Sequence, residues 1–172
     1  MGILDGKRLL ITGVLTDASL AFAVAHMAQE EGAEVVLTGA GRGLSLTRRS
    51  ARKLPTEPEV LEFDVTSPEQ AKTVQVLLEE KWGRVDGALH AIAFAPDVCL
   101  GEDFMAADWD DVRVALEVSA YSLKTIAAVV APLMPDGGAI VGLDFDARFA
   151  WPAYNWMAVS YTHLTLPTIL LV

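Results

Sequence analysis

RLLITGVLTDASLAFAVAHMAQEEGAEVVLTG, residues 8–39, decides the fold. Arg8 to Thr12 is a short aliphatic run ended by Gly13. From Leu20 the apolar residues Leu20, Ala21, Val24, Ala25, Met27 and Ala28 recur at helical spacing, and Glu34 to Leu37 forms a second apolar run. The order strand, turn, helix, strand is a βαβ unit with a right-handed crossover. Gly13 permits a tight turn, and Ser19 stands where a helix N-cap belongs. A helix N-terminus presenting free N–H groups after such a turn is an anion site, with a dinucleotide pyrophosphate as its expected occupant. The glycines depart from G-x-G-x-x-G, because Val14 follows Gly13 and the next glycine is Gly32. A buried βαβ unit with no ligand is the plainer alternative.

Working outward, the 172 residues suit one domain with room for a core. A hydrophobic share of 52% suits a sheet covered by helices on both faces. A net charge of −10 argues against nucleic acid or an anionic membrane as partner. The single cysteine, Cys99, cannot form an internal disulfide and fits a reducing compartment. MGILDGKR lacks the apolar core of a signal peptide. The apolar end, Leu164 to Val172, would span only about 14 Å as a helix, against a bilayer core of roughly 30 Å. A cytoplasmic protein is expected.

After the second strand, GAGRGLSLTRRSARKL predicts a turn and a helix carrying Arg48, Arg49, Arg52 and Lys53 on a solvated face. An acidic residue at the end of that strand would bond a ribose 2′-hydroxyl, and a nearby arginine would accept a 2′-phosphate. Gly39, Ala40, Gly41 and Arg42 leave the choice open. Glu59 to Phe63 is a third strand ending in Asp64-Val65. Asp64 can receive an adenine amino group or cap the helix expected over 67–82, which would bury Ala71, Val74, Leu77 and Leu78 on one face. Val85 to Ala93 is the fourth strand. His90 inside it reads as a core residue, and the small Ala91, Ala93 and Ala95 let a ligand approach the sheet's end. A loop over 94–107 leads to Asp108, the cap of a long helix over 109–134, and Ala139 to Leu143 is a fifth strand. The whole is an α/β doubly wound parallel sheet, a Rossmann fold, in the order 3-2-1-4-5. His26, His90 and His163 have no ligand partners at useful spacing, so no metal is expected.

The fifth strand runs into GLDFDARFAWPAYNWMAV, and residues just beyond such a strand face the ligand crevice. Phe145 and Tyr154 are the informative pair. A tyrosine hydroxyl can donate to a substrate oxygen that gains charge during hydride addition, or simply pack over a helix start. LDGKRLLITG, TDASLAF, VVLTG, DVTSPEQ, HAIAFAP, VSAYS, GGAIVGLDFDA and PAYNWMAV together resemble NADH-dependent enoyl-[acyl-carrier-protein] reductases, in the short-chain dehydrogenase/reductase superfamily. The nearest branch serves mycolate-type fatty acid synthesis, and the resemblance covers residues 2 to about 159.

The resemblance implies reduction of the 2-trans double bond of enoyl thioesters on acyl carrier protein or coenzyme A, with NADH as cofactor. It also implies a homotetrameric parent. Gly13, Ser19 and Leu20 would hold the pyrophosphate, and Asp64 and Val65 would contact adenine. Ile92, Ala93 and Val118 would line the ribose and nicotinamide. Phe145 would flank nicotinamide and thioester, and Tyr154 would bond the thioester carbonyl. Ala40-Gly41 replaces the family's usual Phe-Asp, and Ala91 and Ala93 replace Ser and Gly. A ketoreductase is disfavoured, since Ala158 and Val141 stand where its lysine and serine would be.

The enoyl reductase lysine would fall at position 161, which holds Tyr161. From about Ser160 the resemblance stops, and SYTHLTLPTILLV reads as a non-native tail. Back-translation of Val159 to Leu164 accommodates the end of a transposon-based sequencing adapter. Residues 1–159 are therefore expected to be the N-terminal portion of a reductase, truncated after the fifth strand, and 160–172 read-through. Such a chain is expected to be inactive, with AIVGL left as an exposed edge. A non-catalytic nucleotide-binding module is the competing reading.

Overall fold

A computed structural model describes residues 2–101, 103–146, 148 and 152–162. Strands β1 (Arg8–Ile11), β2 (Glu34–Gly39), β3 (Glu59–Glu62), β4 (Gly87–His90) and β5 (Ala139–Gly142) form one sheet in the order β3-β2-β1-β4-β5. The pairs β1·β2, β1·β4 and β2·β3 are parallel, with Ile11 opposite both Leu37 and Leu89. The helices are α1 (Leu20–Glu30), α2 (Gly41–Ala51), α3 (Pro68–Trp82), α4 (Trp109–Leu116), α5 (Ser122–Val130) and α6 (Asn155–Thr162). The expected doubly wound order is therefore present.

The chain divides into two compact units. One comprises the described residues within Met1–Ala91 and Thr125–Val141, the other those within Ile92–Lys124 and Gly142–Val172. The core of the first centres on Leu10, Ile11, Val36 and Leu37, all essentially inaccessible. Helix α1 turns one row of alanines inward: Ala21, Ala25 and Ala28 are buried, whereas Leu20, Val24 and Met27 are 70%, 40% and 64% exposed. Both sets recur at helical spacing, so periodicity alone could not say which row faces inward. In α3 the Ser67 hydroxyl accepts from the Gln70 N–H, Pro68 starts the helix, and Gly83 ends it in the left-handed region. Val74 and Leu78 are buried as expected, but Leu77 is 37% exposed.

The second unit has its own cluster of Ala95, Cys99, Val112, Ala115, Met157 and Tyr161. Burial, with Asp111 and Asp108 nearby, pushes the Cys99 thiol above its usual range, so it stays protonated. The expected helix over 109–134 is broken by a π-turn at Glu117–Tyr121 and a 3-10 turn at Ala131–Leu133. Trp109–Leu133 is long and apolar enough to cross a membrane by length and composition. It nevertheless buries Val112, Ala115, Ile126, Val129 and Val130 inside the protein, as a core helix does.

Other boundaries also shifted. Strand β4 covers Gly87–His90 rather than 85–93, because the Ala91 N–H leaves the ladder for the Thr12 hydroxyl at 3.1 Å. Arg52 is the C-cap of α2, and Lys53 lies beyond the helix. Strand β5 is the last in the sheet order among the described residues and leaves Val141 54% exposed, as an apolar edge would. Position 160 does not end the helix: α6 runs through Ser160 and Tyr161, both buried, to Thr162. His163 and the rest of the expected tail, 163–172, lie outside the described residues.

His90 is inaccessible, and burial lowers its imidazole from 6.5 to about 4. Between those values the unfolded chain binds a proton that the native state does not. Stability therefore falls as pH drops from about 6.5 towards 4, by on the order of 3 kcal/mol in all. His90→Gln should flatten that part of the pH dependence in urea unfolding, with the carboxylate contributions unchanged. An identical slope in both proteins would show that His90 takes up its proton in the native state.

Candidate functional site

In the first unit the site is the turn between β1 and α1. Gly13 has φ +83, and a Cβ there would come within 1.9 Å of the Ala91 carbonyl oxygen. Only glycine permits both that conformation and that approach. The Thr12 hydroxyl donates to the Leu89 carbonyl at 2.8 Å and accepts from the Ala91 N–H, joining the ends of β1 and β4. The rest of the turn is braced from α2 and its C-terminal extension. Ser50 donates to the Leu15 carbonyl at 3.1 Å, and Lys53 pairs with Asp17 at 2.6 Å. That ammonium holds the Asp17 carboxyl below its usual range.

Ser19 caps α1. Its Oγ accepts from the Phe22 N–H at 3.2 Å and donates to the Thr16 carbonyl at 2.7 Å. Leu20 opens the helix, whose first turn contains no acidic residue. The first N–H groups of a helix have no intrahelical acceptor, so this end can receive an anion without electrostatic opposition from its own first turn.

Asp64 and Val65 follow β3. The even choice for Asp64 between adenine contact and helix cap is narrowed, since Ser67 caps α3. Asp64 Oδ1 instead accepts from the Thr66 N–H at 2.9 Å and the Thr66 hydroxyl at 2.7 Å, in an Asx turn. Val65 is buried. At the end of β2, a Cβ on Gly39 would meet Thr47 Oγ1 at 2.8 Å, so α2 packs closely there. The start of α2 has no side-chain cap and no acidic residue in its first turn.

The second unit holds Ile92, Ala93, Val118, Phe145 and Tyr154. Phe145 sits between two tyrosines, with ring centroids 4.8 Å from Tyr154 and 5.1 Å from Tyr161. Tyr154 remains 41% exposed, whereas Tyr161 is buried. The Tyr161 hydroxyl donates to the Ile92 carbonyl at 3.2 Å. Burial, and then the negative charge of Asp144, pushes that phenol up to about 12. It is neutral throughout the physiological range.

Tyr154 lies at the end of a 3-10 turn, Pro152–Tyr154, next to Asn155, which has φ 37. Asparagine tolerates this left-handed region better than most residues. Its Nδ2 donates to the Asp103 carbonyl at 3.0 Å, the Trp156 indole donates to the Phe104 carbonyl at 3.0 Å, and the Phe104 and Trp156 rings stack at 4.3 Å. The loop at 103–104 is thereby strapped to the start of α6. Nothing in the sequence reading pointed to Asn155 or Trp156 in this role. Asparagine directly after the tyrosine was the one available sign of a left-handed residue.

Val118 lies in the π-turn. Its carbonyl accepts from the Ser122 hydroxyl at 2.6 Å. Ile92 is half-buried and Ala93 exposed. Among the described residues no group of three or more His, Cys, Asp or Glu side chains could hold a metal ion.

A parallel sheet in this order, a glycine turn opening onto a helix N-terminus, and a tyrosine placed after the fifth strand define a Rossmann-type nucleotide-binding protein of the short-chain dehydrogenase/reductase kind. The enoyl-(acyl carrier protein) reductase family matches residues 13–165, and the chain belongs to that family. It is 44% identical to the NADH enoyl-[acyl-carrier-protein] reductase of Mycolicibacterium smegmatis, over 95% of this chain and 62% of that protein. The corresponding protein of Mycobacterium avium is 41% identical over the same shares, and that of Haemophilus influenzae 34% identical over 98% and 65%. The higher identities lie with the mycobacterial reductases, in agreement with the mycolate-type motifs. The chain spans less than two thirds of the length of these relatives.

Gly13→Ala should test the turn. It forces a Cβ onto the Ala91 carbonyl and a left-handed alanine, an expected loss of about 1–3 kcal/mol in denaturant unfolding. It should also abolish binding of ADP. A variant as stable as the parent that still binds ADP would show that the turn relaxes freely and is not the anion site.

Proposed function

We propose that this chain is the cofactor-binding portion of an NADH-dependent enoyl-[acyl-carrier-protein] reductase that reduces the 2-trans double bond of enoyl thioesters in mycolate-type fatty acid synthesis. The observation that carries the reading is Tyr154. It is a half-exposed phenol packed on Phe145 and directly followed by a left-handed residue, in a chain of this family. Substrates are enoyl thioesters on acyl carrier protein or coenzyme A. The parent is a cytoplasmic homotetramer, a state carried over from the family resemblance.

The residues present fit a dinucleotide. Gly13 leaves the turn free of a side chain, and Ser19 and Leu20 open a helix whose first turn has no acidic residue. These three hold the pyrophosphate, while Asp64 and Val65 meet adenine. Ile92, Ala93 and Val118 line the second ribose and the nicotinamide. When bound, the nicotinamide supplies the hydride that the β-carbon of the enoyl thioester receives. Tyr154 donates a hydrogen bond to the thioester carbonyl oxygen and stabilises the negative charge that grows there. Phe145 flanks the reacting groups and excludes water.

Position 161 marks the limit of this chain. A lysine there would bring a cation to the ribose hydroxyls, whereas Tyr161 is neutral and spends its proton on the Ile92 carbonyl. That observation favours the second reading, a nucleotide-binding module without catalysis, for the sequence as it stands. We read 160–172 as foreign to the N-terminal portion of a reductase over 1–159. Because the family match itself runs to residue 165, this junction rests on the residue types from Ser160 onward. Re-sequencing across it decides the point: lysine at 161 in the uninterrupted gene supports the reductase, and tyrosine supports the module.

The full-length protein with lysine at 161 should oxidise NADH with a 2-trans-enoyl thioester and ignore 3-ketoacyl thioesters. Tyr154→Phe in that protein should lower kcat by about 10²-fold with little change in NADH affinity, as for loss of a donor to developing charge. Unchanged turnover would remove Tyr154 from its role. The 172-residue chain carrying Tyr161 should show no turnover.

NADH should be preferred over NADPH, as in the relatives' names, although Arg42 stands near the position a 2′-phosphate would take. The ratio of kcat/KM values tests this. A preference for NADPH above about tenfold, roughly 1.4 kcal/mol, would refute it.

A further inference from the structure

Ser119 is fully buried, yet it belongs to neither a helix cap nor the proposed catalytic pair. It sits in the π-turn at Glu117–Tyr121, where the extra residue per turn rotates its side chain away from the direction a regular helix would give. Its hydroxyl grips both polar groups of one residue on a distant loop. It accepts from the Phe94 N–H at 3.0 Å and donates to the Phe94 carbonyl at 2.9 Å. The Met157 sulfur, at 3.6 Å, closes the remaining side. A single hydroxyl that satisfies both groups of one residue fixes that residue in position and orientation together. Phe94 immediately follows Ile92 and Ala93, and at 55% exposure its own side chain does not anchor it by burial. One residue before Ser119, the Val118 carbonyl is held by Ser122.

We propose that Ser119 is a positioning residue: from the π-turn it clamps the Phe94 peptide groups and thereby fixes the Ile92–Ala93 backbone on which the nicotinamide half of the dinucleotide rests. This inference rests on the dinucleotide reading above and adds to it a residue that does not itself touch the cofactor. The clamp acts on the nicotinamide half alone. Gly13, Ser19 and Leu20 have their own hydrogen bonds and packing within the first unit.

The test uses the 172-residue chain and Ser119→Ala, with NADH and ADP as probes and amide exchange as an independent readout. ADP carries the adenosine and pyrophosphate but neither the second ribose nor nicotinamide. The variant should lose protection at the Phe94 amide and bind NADH about tenfold more weakly, while its affinity for ADP stays as in the parent. Equal weakening of both ligands would reveal a general structural role and overturn the proposal. So would unchanged NADH affinity, or Phe94 protection that survives the substitution. If the parent chain binds neither ADP nor NADH, the dinucleotide reading fails at that step, before the variant is consulted, and the proposal falls with it. Should Ser119→Ala not fold, Ser119→Cys replaces it. Its near-isosteric thiol is a weak donor, and the same split between NADH and ADP is expected at smaller amplitude.

Discussion

The close approach of Gly13 to Ala91 is the constraint on which the nucleotide-binding end of the first unit depends. A parallel sheet brings the C-terminal ends of β1 and β4 side by side, and the chain must leave β1 sharply to start a helix there. A side chain at position 13 would occupy the space of the Ala91 carbonyl, so the turn exists only because that side chain is missing. Thr12 completes the arrangement. Its hydroxyl replaces a ladder hydrogen bond for Ala91 and releases the chain from β4 at the point where a ligand would need the sheet's end. The alanine row of α1 belongs to the same design. Small residues at 21, 25 and 28 face inward and let the helix lie close, which brings its N-terminus to the end of β1. The larger Leu20, Val24 and Met27 are consequently left outside.

That inversion shows where sequence reading stops. Strand order and the positions of all five strands were legible, because aliphatic runs bounded by glycine, proline and caps leave few alternatives in a doubly wound sheet. The helical spacing over 67–82 placed α3, but its caps, Ser67 in place of Asp64 at the start and a left-handed Gly83 at the end, came from the structure. What could not be read was which of two equally periodic rows on α1 is buried, since that depends on how near the helix lies to its sheet. The shortened β4 was hidden for a related reason. A threonine hydroxyl took the place of a backbone acceptor, and nothing in the residue pattern at 91–93 signals such a substitution.

The candidate site was legible in part. Gly13 and Ser19 have signatures, and Phe145 and Tyr154 were found through a motif; the structure brings those two rings into tilted contact. The π-turn had no signature, because the sequence there is compatible with an unbroken helix. The hydroxyls in it and just after it both find backbone partners, Phe94 for Ser119 and the Val118 carbonyl for Ser122 at the start of α5. Hydroxyls mid-helix are poor helix formers when unpaired. Two of them three residues apart, each satisfied by backbone, are what make the irregular turn tolerable.

Tyr161 joins these observations to the chemistry. Its ring enters the same cluster as Phe145, so the place expected for a lysine is filled by an aromatic that packs well. Packing and function diverge at this position. A lysine would have to bury its stem and carry its charge to a ribose, at a cost in desolvation that only a bound ligand offsets. The phenol pays no such penalty: its single proton goes to the Ile92 carbonyl, and the surrounding burial with Asp144 keeps it protonated. The same hydrogen bond ties α6 to the loop at Ile92 and occupies the carbonyl of a residue proposed to line the cofactor. With Tyr161 the second unit has a packed aromatic tied to the Ile92 loop, and it lacks the cation that a lysine would carry at this position.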